Sequence, residues 1–97
     1  MYITENIIDI GQEKSLETYG DVYPNNAAYI AVIESLKASG DIVSREVTSL
    51  GSNLYQVKTT FKDEQAYRNH LVIPEVLDMI EWMKANITVF QVSAQTV

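Results

Sequence analysis

The clearest hydropathy pattern in the chain is the run LYQVKTTF, where Tyr55, Val57, Thr59 and Phe61 alternate with Gln56, Lys58 and Thr60. A period of two places alternate side chains on opposite faces of a strand, so this run predicts a strand with one buried face. Residues 42–50, IVSREVTSL, predict a second strand, and Gly51-Ser52-Asn53 supplies the short turn of a hairpin. Residues 2–10, YITENIIDI, are rich in isoleucine and predict a first strand despite imperfect alternation. Residues 87–92, ITVFQV, predict a last strand, and the polar tail SAQTV is expected to fray.

Between the strands the period changes. Tyr29, Ile30, Ile33 and Leu36 recur at three- and four-residue spacing and predict a helix, capped by Asn25 or Asn26. Gly40 stands where a left-handed C-terminal cap is wanted, and Lys37 complements the negative helix end. Asp63 begins a second helical stretch, with Glu64 and Gln65 in its first turn. There Ala66, Tyr67, His70 and Leu71 share a face. Pro74 lacks an amide donor, so the helix breaks and restarts at that residue. Val76, Leu77, Ile80 and Met83 continue an apolar stripe, widened by Met79 and Trp82, which reads as core; Asn86 can end it. Residues 11–24 contain two glycines and a proline and predict a long loop, of the kind that acts as a lid, a binding loop or the carrier of a short helix.

The element order is β-α-β-β-α-β. Two right-handed crossovers around a central hairpin give a ferredoxin-like α+β fold: a four-stranded antiparallel sheet with two helices on one face. With 97 residues the chain is expected to form a single domain, 1–97. One sheet face then has no helices over it, and a homodimer through that face is the expected way to cover it.

Charge narrows the partners. The formal net charge is −6, and the basic residues are scattered, so neither nucleic acid nor an anionic membrane surface is an expected partner. There is no cysteine, which excludes disulfides, thiolate catalysis and thiolate metal sites. One histidine offers no familiar transition-metal set, and neither a calcium loop, a phosphate-cradling glycine loop nor a nucleophile elbow occurs. No cofactor is therefore expected. The N-terminus lacks the features of a signal peptide, which makes the cytoplasm the expected compartment and Asn86-Ile87-Thr88 an unused glycosylation sequon.

The candidate chemistry is sparse. His70 is the candidate catalytic acid or base, because imidazole titrates near neutral pH; a structural role bonded to a backbone carbonyl is the competing reading. Six tyrosines suggest an aromatic-lined pocket for a flat organic ligand, with Tyr55, Tyr67 and Trp82 as the candidate ligand-binding residues. The alternative is that Tyr29, Tyr55 and Tyr67 sit at the core rim with their hydroxyls in water.

Phe61, Glu64, Ala66, His70, Leu71 and Pro74, in this order and spacing, resemble the second-helix pattern of antibiotic-biosynthesis-monooxygenase-like proteins of the dimeric α/β-barrel superfamily. The similarity covers about residues 26–92. It implies two sheets packed face to face in a homodimer, and a range of activities from cofactor-free oxygenation of electron-rich aromatics to haem degradation. The haem-degrading branch places a histidine ligand late in the second helix; Glu75 to Met83 contain none, so haem is not expected. The lack of an acid–base pair and of a metal set favours a small cytosolic non-catalytic assembly or binding protein acting as a homo-oligomer. The alternative is a cofactor-independent oxygenase or isomerase of an aromatic or polyketide-like substrate, with His70 as its proton-transfer group. A further alternative, from charge alone, is an acidic inhibitor of a basic partner protein.

Overall fold

A computed structural model describes residues 1–10, 23–51 and 54–97. The elements run β1 (Tyr2–Asp9), α1 (Asn26–Ser39), β2 (Ile42–Gly51), β3 (Leu54–Phe61), α2 (Glu64–His70), α3 (Pro74–Asn86) and β4 (Thr88–Thr96). The strands form one sheet in the order β2-β3-β1-β4, with every neighbouring pair antiparallel. This is the ferredoxin-like α+β arrangement, its second helical stretch divided in two. Most of the loop expected over 11–24, and Ser52 and Asn53 of the hairpin turn, lie outside the described residues.

Local chemistry explains the boundaries. Gly40 takes φ 87°, a left-handed conformation that costs glycine least, and its amide donates to the Lys37 carbonyl to close α1. Asp63 accepts from the Ala66 amide at 2.8 Å and caps α2. That helix ends beyond His70, and Pro74 opens α3 at a first-turn position, where its missing donor costs nothing. The start of α1 departs from expectation: Asn25 makes no side-chain cap, because its amide is drawn to Asp78 on α3 at 2.9 Å.

The tail is a correction to the expected fraying. β4 runs to Thr96, with Thr96 opposite Tyr2 and Gln95 opposite Ile3. The Val97 amide donates to the Met1 carbonyl at 2.8 Å, and the Met1 amino group donates to the Val97 carbonyl at 3.1 Å. The reason lies in β1, which has β3 on one edge and would leave backbone donors and acceptors open along the other. Polar side chains in SAQTV do not prevent pairing; β-ladders join backbones.

The helices cover one face of the sheet. Tyr2, Thr4, Asn6 and Ile8 of β1 share that face with their partners Phe61, Thr59, Val57 and Tyr55 of β3. At one end Ile33, Ile42, Phe61 and Ala66 form a buried cluster flanked by Tyr2 and Tyr67; at another, Tyr23 and Met79 pack with Trp82 and Ile87. Leu77, expected in the apolar stripe of α3, is 43% exposed, while Val76 and Met79 are buried. The other sheet face mixes Ile3, Ile7 and Phe90 with a cross-strand row Glu46–Lys58–Glu5, and Phe90 is 57% exposed.

Deleting residues 93–97 removes four β1–β4 pairs and both terminal bonds. At about 1 kcal/mol per hydrogen bond, a net loss of even half of these bonds corresponds to a fall of at least roughly 10–20 °C in the thermal midpoint. Circular dichroism melting checks this; an unchanged midpoint would show that the tail contributes nothing.

Candidate functional site

The two layers do not close on one another. Between the sheet and helices α1 and α3 lies a cavity of about 500 Å³. Its floor is the covered sheet face, and its roof comprises Tyr29 and Ile33 of α1 with Val76, Met79, Ile80 and Met83 of α3. Ile30, Lys84, Val89 and Gln91 line it and are also exposed, so they mark its mouth. The size lies within the range of ordinary small-molecule sites, and most of the lining is apolar.

One end of the cavity is aromatic. Tyr67 lies 4.9 Å from Tyr2 between ring centroids and 5.3 Å edge-on from Phe61; His70 lies 4.9 Å from Phe61 and 5.6 Å from Tyr67. The chain produces this cluster by pairing Tyr2 at the start of β1 with Phe61 at the end of β3, then turning directly into α2. His70 Nδ1 is 2.6 Å from the Tyr67 carbonyl oxygen. A carbonyl only accepts, so Nδ1 carries the proton and Nε2 holds the lone pair. Burial against the aromatic rings pushes the His70 pKa below its usual 6.5, opposed in part by the bond to the Tyr67 carbonyl. At neutral pH the imidazole is an uncharged base.

The floor is more polar than the roof. Thr4 and Thr59 are directly paired, both buried, and Arg45 is the partner of Thr59 on its other side. Arg45 reaches this face through a β-bulge: Ile42 pairs with Phe61 and Ser44 with Thr60, which leaves Val43 as the extra residue and changes the phase of β2.

A second polar group holds the far end of the roof. Tyr23 is 1% exposed, and its hydroxyl donates to Asp78 Oδ2 at 2.5 Å, beside the Asn25 amide on the same oxygen. Burial, and then the bond to and charge of Asp78, push the Tyr23 pKa up to about 12. The Asn25 amide and the Tyr23 hydroxyl hold the Asp78 pKa below the usual carboxylate range. The segment entering α1 is thereby tied to α3.

Comparison with known proteins adds a fold relationship. No family model matches the chain, and no curated protein matches it. Among solved structures it is similar to a "putative antibiotic biosynthesis monooxygenase" of Deinococcus radiodurans, with a TM-score of 0.61 at 14% identity over 100% of this chain and 95% of that one. The chain has an antibiotic-biosynthesis-monooxygenase-like fold.

Within this fold the residues singled out from sequence separate into two groups. His70 and Tyr67 both line the cavity and touch one another. Tyr55 and Trp82 do not line it: Tyr55 is buried opposite Ile8, and Trp82 lies 5.4 Å from the Tyr23 ring. Tyr29 lines the cavity and belongs with His70 and Tyr67. Tyr19 lies outside the described residues. Sequence reasoning missed Arg45, because strict alternation along IVSREVTSL pairs its face with Val43 and not with Ile42. It also missed Asp78, one of three acidic residues along α3 with Glu75 and Glu81, which nothing local sets apart.

Two titrations test this geometry. The unfolded-state tyrosine ionises near 10 and folded Tyr23 near 12, so Tyr23 contributes stability that is present below pH 10 and lost as pH rises toward 12. Tyr23→Phe is expected to be less stable at neutral pH and to lose less on alkalinisation, measured by urea denaturation at pH 7 to 11. For His70 the depressed pKa favours the neutral form, so its stabilising effect is present above 6.5 and lost as pH falls below it. Nitrogen-15 spectra of the ring are expected to show Nδ1 protonated and a midpoint below 6.5; an Nε2–H tautomer contradicts the bond to Tyr67.

Proposed function

We propose that this chain handles a flat, largely apolar organic molecule in the cavity between its sheet and helices. The reaction class is cofactor-independent oxygenation or isomerisation of an aromatic or polyketide-like substrate. The cavity itself carries the reading: a purely structural assembly unit would fill its core, and here the layers stand apart around about 500 Å³. The name of the Deinococcus radiodurans neighbour points the same way.

In this scheme His70 is the proton-transfer group. Its Nδ1–H is committed to the Tyr67 carbonyl, so Nε2 accepts the phenolic or enolic proton of a bound substrate. Fixing Nδ1 also fixes the tautomer and the ring plane, which spares the base reorganisation during transfer. Tyr67 and Tyr29 supply ring surface for a planar ligand. The protein acts as a homodimer, its open sheet face covered by a second copy through Ile3, Ile7 and Phe90, while Lys58 stands between Glu5 and Glu46 of its own chain on that face.

A second reading keeps the cavity and drops the reaction: a non-catalytic binding protein acting as a homo-oligomer in the cytoplasm. It is supported by the single histidine and by the exposed apolar side chains of the open face. Oxygen uptake separates the two. With dithranol as an electron-rich probe, the enzyme reading expects oxygen consumption well above autoxidation, reduced at least tenfold in His70→Gln. Binding without accelerated uptake leaves the non-catalytic reading, and failure of any flat aromatic probe to bind removes both.

A further inference from the structure

The charge of the cavity opposes the charge of the chain. The sequence carries 13 Asp and Glu against 7 Lys and Arg, yet the charged residues lining the cavity are Arg45 and Lys84, with no carboxylate among the described lining residues. Neither cation forms an ion pair with a described residue. Among the described residues the ion pairs are Lys37 with Glu34, Lys62 with Asp41 and Arg68 with Glu64, and all three lie on the surface. A half-buried guanidinium with no carboxylate partner among the described residues has donors free to meet an anion that enters the cavity.

The surroundings of Arg45 indicate what completes it. It stands in one cross-strand row with Thr59 and Thr4, which are 9% and 4% exposed. In the next row Asn6 is paired with Gln91 at the mouth. Hydroxyls beside a planar, five-donor guanidinium form a surface that recognises oxygen anions. Val47 and Val57, also in the next row, flank this patch with hydrocarbon, which lowers the local dielectric and strengthens an ionic contact. Lys84, exposed at the rim, raises the local concentration of anions approaching an otherwise acidic protein.

We infer that the cavity selects a molecule with a flat apolar body and an oxygen anion, a carboxylate or an ionised phenol or enol, seated on Arg45. This rests on the cavity being a ligand site, as argued above, and adds which class of ligand it accepts. The apolar body lies under α1 and α3 beside Tyr67, and the anionic oxygen meets the guanidinium at the Thr59–Thr4 row. His70 is neutral and makes no competing claim on the anion.

Two probes of the same shape test the assignment: 2-naphthoate, which is anionic at pH 7, and naphthalene-2-carboxamide, which is neutral. Titration calorimetry with the full chain is expected to show the naphthoate binding about tenfold more tightly, the scale of one charge-assisted hydrogen bond. Arg45→Gln is expected to abolish that preference, whereas Arg45→Lys retains part of it. Lys84→Gln, at an exposed rim position, is expected to reduce the preference two- to threefold and to weaken its salt dependence. Equal affinity for the two probes in the native chain overturns the anion assignment and leaves the cavity reading standing. If neither probe binds, the cavity reading itself fails. A preference that survives in Arg45→Gln, with folding verified by circular dichroism, also overturns the assignment.

Discussion

The structure depends on β1 being hydrogen-bonded along both edges. β3 runs antiparallel on one side and β4 on the other, over the whole of Tyr2–Asp9. A central strand cannot leave buried amides and carbonyls open, so its length dictates the length of its neighbours. It draws the C-terminal residues into the sheet, brings Met1 and Val97 together, and aligns Tyr2 with Phe61 at one end. The aromatic end of the cavity, and with it the placement of His70, follows from that alignment.

The helix layer is fitted less tightly to this platform. α2 and α3 are separated by the break before Pro74, which lets α2 lie against the end of β3 while α3 runs back toward β4. Aromatic packing holds one end, and the Tyr23–Asp78–Asn25 group holds the other. Between these two anchorages the layers stand apart around the cavity. An unfilled apolar cavity forgoes dispersion contacts, so a molecule that fills it contributes to folding stability as well as occupying a site.

Much of this was legible in the residues. The alternation of LYQVKTTF, the glycine after α1, the aspartate before α2 and Pro74 each act within a few residues, and each specified its element. The path of the C-terminus was not legible, because SAQTV has no apolar period and its order comes from a partner strand nearly the full chain away. The site divides along the same line. His70 and Tyr67 sit one helical turn apart, and both line the cavity. Tyr55 and Trp82 were grouped with them on residue type, and tertiary packing took both elsewhere. Arg45 was invisible because a single extra residue upstream determines which face it occupies.

That extra residue means the polarity of the chamber is encoded in phase. The composition of β2 contains an arginine either way; the looping-out of Val43 decides whether its charge faces the interior or the bulk solvent. The same residues paired without the bulge, Val43 taking its place in the ladder, would present serine and glutamate inward and turn the guanidinium outside. In this architecture the charge of the chamber is set by the pairing of one strand, without any substitution in the strands that frame it.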